Sequence, residues 1–284
     1  MEFSIKNFEK NGFAYPFKLK KKLQPGELEK EYHSFQNDCK NKLNYSVSLK
    51  PNLLSTFFND LVFDENIISA VKEIIGDDIY IWSSAFFPKD PGTGKIVSFH
   101  QDNPYWQLTS NNVVSAWIAL TNSTEESGAL SVVPKSHNRG IIKKLDVKNA
   151  RESYLRGEKT TPEKDLLSYN QNLDEFIKQN PPKCLELNPG EFSIHHVNTV
   201  HGSGINKSNH PRIGFAIRYI TSDTKHLIEK KGDSAIHVCG KKNSYYKEEH
   251  IPLESFSSQS IINYEKAMKA AGSFGNKKYV LDKK

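Results

Sequence analysis

Two strand-like runs about a hundred residues apart each lead into a side chain that binds metals, so the chain must fold back on itself to unite them. The first is Ile96-Val97-Ser98-Phe99, followed by His100-Gln101-Asp102. The second is Phe192-Ser193-Ile194-His195-His196-Val197, followed by His201-Gly202-Ser203-Gly204. Side chains alternate with period two along a strand, so His100 and Asp102 are expected to point the same way from one strand end. Both can then chelate one ion, with His201 as third ligand from a distant strand laid over the first. Two imidazoles and a carboxylate occupy one triangular face of an octahedron and leave three positions open, a donor set suited to Fe(II). Structural zinc would call for a closed, thiolate-rich set instead.

Arg212 stands eleven residues beyond His201, in Pro211-Arg212-Ile213-Gly214-Phe215-Ala216-Ile217-Arg218-Tyr219. That segment alternates like a half-buried strand, with Arg212 and Arg218 on one side and Arg212 nearest the metal-bearing turn. The chain has only five arginines against thirty-four lysines, which gives an arginine here some weight. Its planar fork of donors matches a carboxylate in a way that lysine reproduces poorly. Ser203, two residues after His201, is placed to add a hydrogen bond to the same carboxylate.

Three further stretches fall in order around these residues: Ser98 to Trp106, Ser115-Ala116-Trp117-Ile118-Ala119-Leu120, and Gly128 to His137. Together with His201 to Ser208 and Pro211-Arg212 they resemble the signatures of the phytanoyl-CoA dioxygenase family, from about Gly12 to Tyr219. The resemblance implies a mainly β fold with flanking helices, a double-stranded β-helix of the jelly-roll or cupin-like kind. It implies Fe(II), with 2-oxoglutarate and O2 as co-substrates, and hydroxylation as the usual outcome. His100, Asp102 and His201 fall at the iron-ligand positions and Arg212 at the 2-oxoglutarate anchor. Gln101, Trp117 and Ser203 fall where relatives contact the co-substrate. Halogenating relatives replace the carboxylate ligand by a small residue, and Asp102 is intact here.

The 284 residues, at 37% hydrophobic, suit one domain with a substantial core. The formal net charge of +6 is spread along the chain, a pattern of solvated surface rather than of a nucleic-acid interface. No run approaches the length of a membrane span, the start lacks an apolar leader, and three cysteines show no paired spacing. A cytoplasmic protein acting on a small molecule is expected, without nucleic-acid or membrane partners; oligomeric state is not legible.

Along the chain, Gly12 marks a turn between short strand-like pieces, followed by helices over Pro25–Lys42 and Asp64–Ile75, the latter stopped by Gly76. Core strands are expected over about residues 79–220: Ile79–Phe87, Val113–Leu120, Ala129–Val133 and several from Cys184 to Ile220. Residues 143–180 break the pattern, as an insertion that would form a lid. A C-terminal extension over 221–284 carries a helix around Ile261–Ala271. Asn103, Tyr105 and Trp106 follow Asp102 where the chain leaves the barrel rim, and are candidates for substrate contact or core packing. Of the adjacent His195 and His196, at most one can face the metal. The competing reading is a metal-binding barrel without catalysis, a sensor or a degenerate relative. Substrate identity is not legible, although the lack of a separate coenzyme A motif favours a small metabolite or natural-product intermediate.

Overall fold

The computed structural model describes residues 5–142, 164–167, 171–227 and 233–270. Two sheets face each other. The larger is built from β1 (Phe13–Lys18), β2 (Ile79–Lys89), β4 (Val113–Ala119), β7 (Glu191–His196), β9 (Arg212–Thr221), β10 (Ser234–Cys239) and β11 (Lys247–Glu248), in the order β1-β7-β4-β9-β2-β10-β11. The smaller joins β3 (Val97–His100), β8 (His201–Ser203), β5 (Ser131–Val132) and β6 (Lys183–Cys184), in the order β3-β8-β5-β6. The two sheets remain separate rather than closing into a barrel, and the architecture is a double-stranded β-helix with helices on one side.

Alternation along β9 divides the two faces as its sequence predicts. Ile213, Phe215, Ile217 and Tyr219 pack outward into a core with α2 (Glu27–Asp38), α3 (Thr56–Val62), α4 (Glu65–Ile75) and α7 (Ser258–Ala270), through Phe35, Phe58, Ile67 and Tyr264. Helix α4 forms there because Asp64 caps its start, accepting from Asn66 N at 3.1 Å, while Ile67, Ala70 and Val71 recur at helical spacing on its buried face. Gly76 ends it with φ 87°, a conformation that glycine adopts without strain.

The opposite face of β9, with Arg212, Gly214, Ala216 and Arg218, looks between the sheets. Two apolar clusters lie there. One holds Phe13, Trp117, Leu130, Leu185 and Ala216; the other holds Trp82, Leu108, Val113, Val197 and Ile220. On β4 and β9 the polar residues Ser115 and Arg218 fall between the two, so the cup between the sheets has polar groups on its floor with packed apolar side chains to either side.

Several expectations change. The piece before Gly12 is a helix, α1 (Ile5–Asn11), rather than a strand. The sheet reaches beyond 79–220, since β1 pairs with β7 and β10 pairs with β2. Strand β10 therefore makes part of the C-terminal region a working piece of the sheet. The proposed lid falls largely on 143–163 and 168–170, outside the described residues; within it, α6 spans Asp174–Gln179. No helix among the described residues is long and apolar enough to cross a membrane.

Candidate active site

His100 ends β3 and His201 opens β8, and the two face each other as an antiparallel pair. The second strand-like run does not carry His201 directly: β7 stops at His196, and the turn through Val197–Val200 transfers the chain to the other sheet. Asp102 also departs from expectation. It is not extended but helical, at φ −71° and ψ −41°, as the residue before the short helix α5 (Asn103–Trp106). Its backbone N–H donates to Val197 O at 3.1 Å, so a turn rather than strand alternation aims its carboxylate.

The three side chains are buried and converge. His100 Nε2 lies 3.5 Å from Asp102 Oδ1, His201 Nε2 lies 3.9 Å from the same oxygen, and the imidazole centroids are 4.2 Å apart. All three potential ligand atoms fall within 4.8 Å of one another. Each Nδ1 is engaged by a carbonyl two residues back: His100 with Ser98 O at 2.8 Å and His201 with Thr199 O at 2.9 Å. These bonds select the tautomer that leaves the Nε2 lone pair free toward the centre. Burial, with His100 adjacent, pushes the His201 pKa down to about 4, so its imidazole is neutral near pH 7. Burial alone would raise Asp102, but His201 and His100 outweigh it and hold the carboxyl well below the usual range. Donors about 2.1 Å from a divalent ion sit about 3 Å apart at right angles, so a slight contraction of this triangle fits one first-row metal.

A clamp holds the loop in place. Gln171 accepts from Gln101 N at 3.1 Å and donates to Gln101 O at 2.8 Å. The Gln101 side chain, expected beside the co-substrate, is instead fully buried: it donates to Gly140 O and Asn198 O, both at 2.7 Å, and accepts from Ile142 N at 2.9 Å. It braces the metal loop from behind. Asn103 is likewise engaged within the loop, donating to Asn111 Oδ1 at 2.9 Å and accepting from Leu108 N at 3.1 Å. Tyr105 remains near the centre, its ring edge-on to His100 at 5.7 Å, and Trp106 packs edge-on against Trp82 at 5.2 Å.

Arg212 is 2% exposed, donates from one terminal nitrogen to Phe87 O at 2.9 Å, and lies 5.5 Å from the Trp117 ring centroid. Its Nε meets no acceptor, and burial lowers its pKa to about 10. Trp117 lies across β9 at Gly214, where an added Cβ would sit 2.0 Å from the indole. Only a residue without a side chain leaves room for that ring.

Lys89, at the end of β2 and opposite Arg212, escaped the sequence reading because it is one lysine among many beside a loop. It is fully buried and donates to Ser203 O at 3.1 Å, Ser203 Oγ at 2.6 Å and Gly204 O. Burial, and then Arg212, push its pKa down to about 7. Because Lys89 donates to the Ser203 oxygen, the Ser203 hydroxyl hydrogen is left to point elsewhere. His195 is the histidine of the adjacent pair that faces inward, 4.6 Å from the His201 ring, while His196 turns to His137. Arg218, rather than Arg212, is the arginine whose charge reaches Asp102.

The phytanoyl-CoA dioxygenase (PhyH) family pattern matches residues 21–214. A probable alpha-ketoglutarate-dependent hypophosphite dioxygenase of Stutzerimonas stutzeri is 25% identical over 206 residues, covering 72% of this chain and 68% of its own. An ectoine dioxygenase of Halomonas elongata is 29% identical over 176 residues, covering 61% of this chain but only 52% of its own. Among solved structures, the non-heme monooxygenase ThoJ superposes with a TM-score of 0.76 at 21% identity, over 95% of this chain and 96% of its own. That likeness establishes the fold. With the family pattern matching more than half of its length, the chain belongs to the phytanoyl-CoA dioxygenase family.

Proposed function

We propose that this chain is an Fe(II)- and 2-oxoglutarate-dependent dioxygenase that hydroxylates a small metabolite or natural-product intermediate, with His100, Asp102 and His201 holding the iron and Arg212 the far carboxylate of 2-oxoglutarate. One observation carries the reading: three buried ligand atoms converge with both imidazoles oriented from behind, beside a sealed arginine that has an unmet donor. Bound iron supplies the redox chemistry, coupling O2 use to oxidative decarboxylation of 2-oxoglutarate to succinate and CO2.

The protein's own residues hold, orient and exclude water. Arg212 offers a desolvated, planar donor set, which binds a carboxylate more strongly than the same group in water. Trp117 stacks beside it, and Lys89 holds Ser203 so that its hydroxyl can donate to the same carboxylate. Asp102 fills the third ligand position, which supports oxygenation rather than halogenation. Relatives named for hypophosphite and ectoine support a small substrate. The three unpaired cysteines support a reducing, cytoplasmic setting for what we read as a single catalytic domain.

Anaerobic addition of Fe(II) and 2-oxoglutarate should produce a weak visible charge-transfer band, and admission of O2 should then release succinate. A screen of small metabolites for stimulated succinate release identifies the substrate. Iron binding without any band or succinate would leave a non-catalytic barrel and overturn the proposal.

A further inference from the structure

Within the cup, one cation has a setting unlike the others. Arg212 is sealed and bonded to Phe87 O, and Lys89 fills its three donors with Ser203 and Gly204. Arg218, on the face of β9 that looks between the sheets, is only partly buried, and none of its donors meets an acceptor among the described residues; its Nε is enclosed and unpartnered. Two aromatic rings flank it instead, with the guanidinium carbon 5.4 Å from the Phe87 centroid and 5.7 Å from that of Trp106. Stacking against rings uses the faces of a guanidinium and leaves its in-plane N–H groups free.

The slot is held firmly. Trp106 is braced by Trp82, and its carbonyl engages His226 Nδ1 at 3.1 Å. The other His226 nitrogen lies 3.2 Å from Asp233 Oδ2, an oxygen that also accepts from Trp82 Nε1 at 2.6 Å. Asp233 is thus occupied elsewhere. The acidic group whose charge Arg218 feels is Asp102, which the proposed function assigns to iron. In the adjoining register positions stand Ser115 and then His195, and Ser115 Oγ and His195 Nδ1 are also buried without a partner. Leaving such groups unmet is costly, and clusters of them mark a place where a ligand completes the bonding.

We propose that Arg218, with Ser115 beside it, is the docking point for an oxyanion of the substrate, a carboxylate or a phosphate-type group, which places the rest of that molecule over the iron face. The inference rests on the function proposed above and narrows it: the oxidised molecule is an acid rather than a neutral metabolite. Phe87 and Trp106 then line the apolar part of the substrate.

The test uses full-length protein loaded anaerobically with Fe(II) and 2-oxoglutarate, titrated by calorimetry with butyrate, butyramide and inorganic phosphate. Butyrate or phosphate should bind, and butyramide should bind at least about tenfold more weakly than butyrate, because it lacks the charge-assisted pair. Binding of phosphate but not butyrate would assign the phosphate-type group, and the reverse the carboxylate. Arg218→Gln should weaken the bound anion about tenfold or more while leaving 2-oxoglutarate affinity nearly unchanged, and Arg218→Lys should retain part of it. Measurable and equal binding of butyrate and butyramide, no binding of either anion to the wild type, or a parallel loss of 2-oxoglutarate affinity in Arg218→Gln would each overturn the inference. The wild-type comparison of acid with amide stands even where a variant fails to fold. Failure of 2-oxoglutarate itself to bind would instead strike the proposed function.

Discussion

Arg212→Met should separate what this arginine does for binding from what it does for folding. Arg212 is a buried cation with no carboxylate beside it among the described residues, and burial lowers its pKa from 12.5 to about 10. At roughly 1.4 kcal/mol for each tenfold change in proton affinity, holding that charge costs the fold about 3 kcal/mol. The cost is present at every pH below about 10, because the unfolded arginine binds its proton more tightly than the folded one. Methionine removes it, and forfeits the bond to Phe87 O and the contact with Trp117, together about 2 kcal/mol. The net gain is about 1 kcal/mol, or about 2–4 °C in Tm for a chain of this size. Melting curves of the metal-loaded protein under argon should show this rise without 2-oxoglutarate. With co-substrate at about a hundred times its Kd, the wild type gains about 2.7 kcal/mol and the variant gains nothing. A ligand-free variant that melts well below the wild type, or one that 2-oxoglutarate still stabilises, would refute the reasoning.

Replacing His100, Asp102 or His201 singly by alanine should abolish the charge-transfer band; full iron affinity in any one variant would remove that residue from the ligand set. Gly214→Ala places a methyl group 2.0 Å from the Trp117 indole, and overpacking of this kind costs about 1–3 kcal/mol. Thermal melting should show that loss, with weaker 2-oxoglutarate binding as the ring leaves Arg212, and in a Trp117→Ala background, itself less stable, Gly214→Ala should cost almost nothing further. Lys89, with its pKa lowered to about 7, is mostly neutral at pH 8, and an incoming dianion raises that pKa. Calorimetry in buffers of different ionisation enthalpy should therefore find proton uptake on 2-oxoglutarate binding at pH 8, absent in Lys89→Met.

The large sheet was legible because its central strands bury one face and line the cup with the other, a division that period-two alternation records. Ile213 to Tyr219 shows it residue by residue. The candidate metal ligands could be picked out by type and spacing, yet the reason they converge could not. Asp102 is aimed by a backbone bond to Val197 from a helical conformation, and no local pattern announces such a contact. Gln101 and Asn103 looked available because they adjoin a ligand, whereas the Gln101 amide is consumed by backbone groups distant in sequence and that of Asn103 by the loop through Leu108 and Asn111. Strand β10 went unnoticed because Ser234-Ala235-Ile236-His237-Val238-Cys239 is short and only weakly apolar, and it becomes a strand by lying beside β2. The unlike settings of Arg212 and Arg218, residues of one type on one face, arise from what the neighbouring strands and helix α5 bring against them.

The two sheets are unequal partners. Both arginines stand on β9, paired with β2 along its ten residues and with β4 over seven of them, whereas His100 and His201 stand on strands of four and three residues paired at few positions. Local opening is easiest where few backbone bonds must break together. Amide hydrogens around Val97–His100 and His201–Ser203 should therefore exchange with solvent well before those of β4 and β9 in metal-free protein. An ion shared by His100, Asp102 and His201 would cross-link those short strands and slow their exchange toward that of the large sheet. The half of the molecule proposed to grip the metal would then be the half that the metal itself finishes folding.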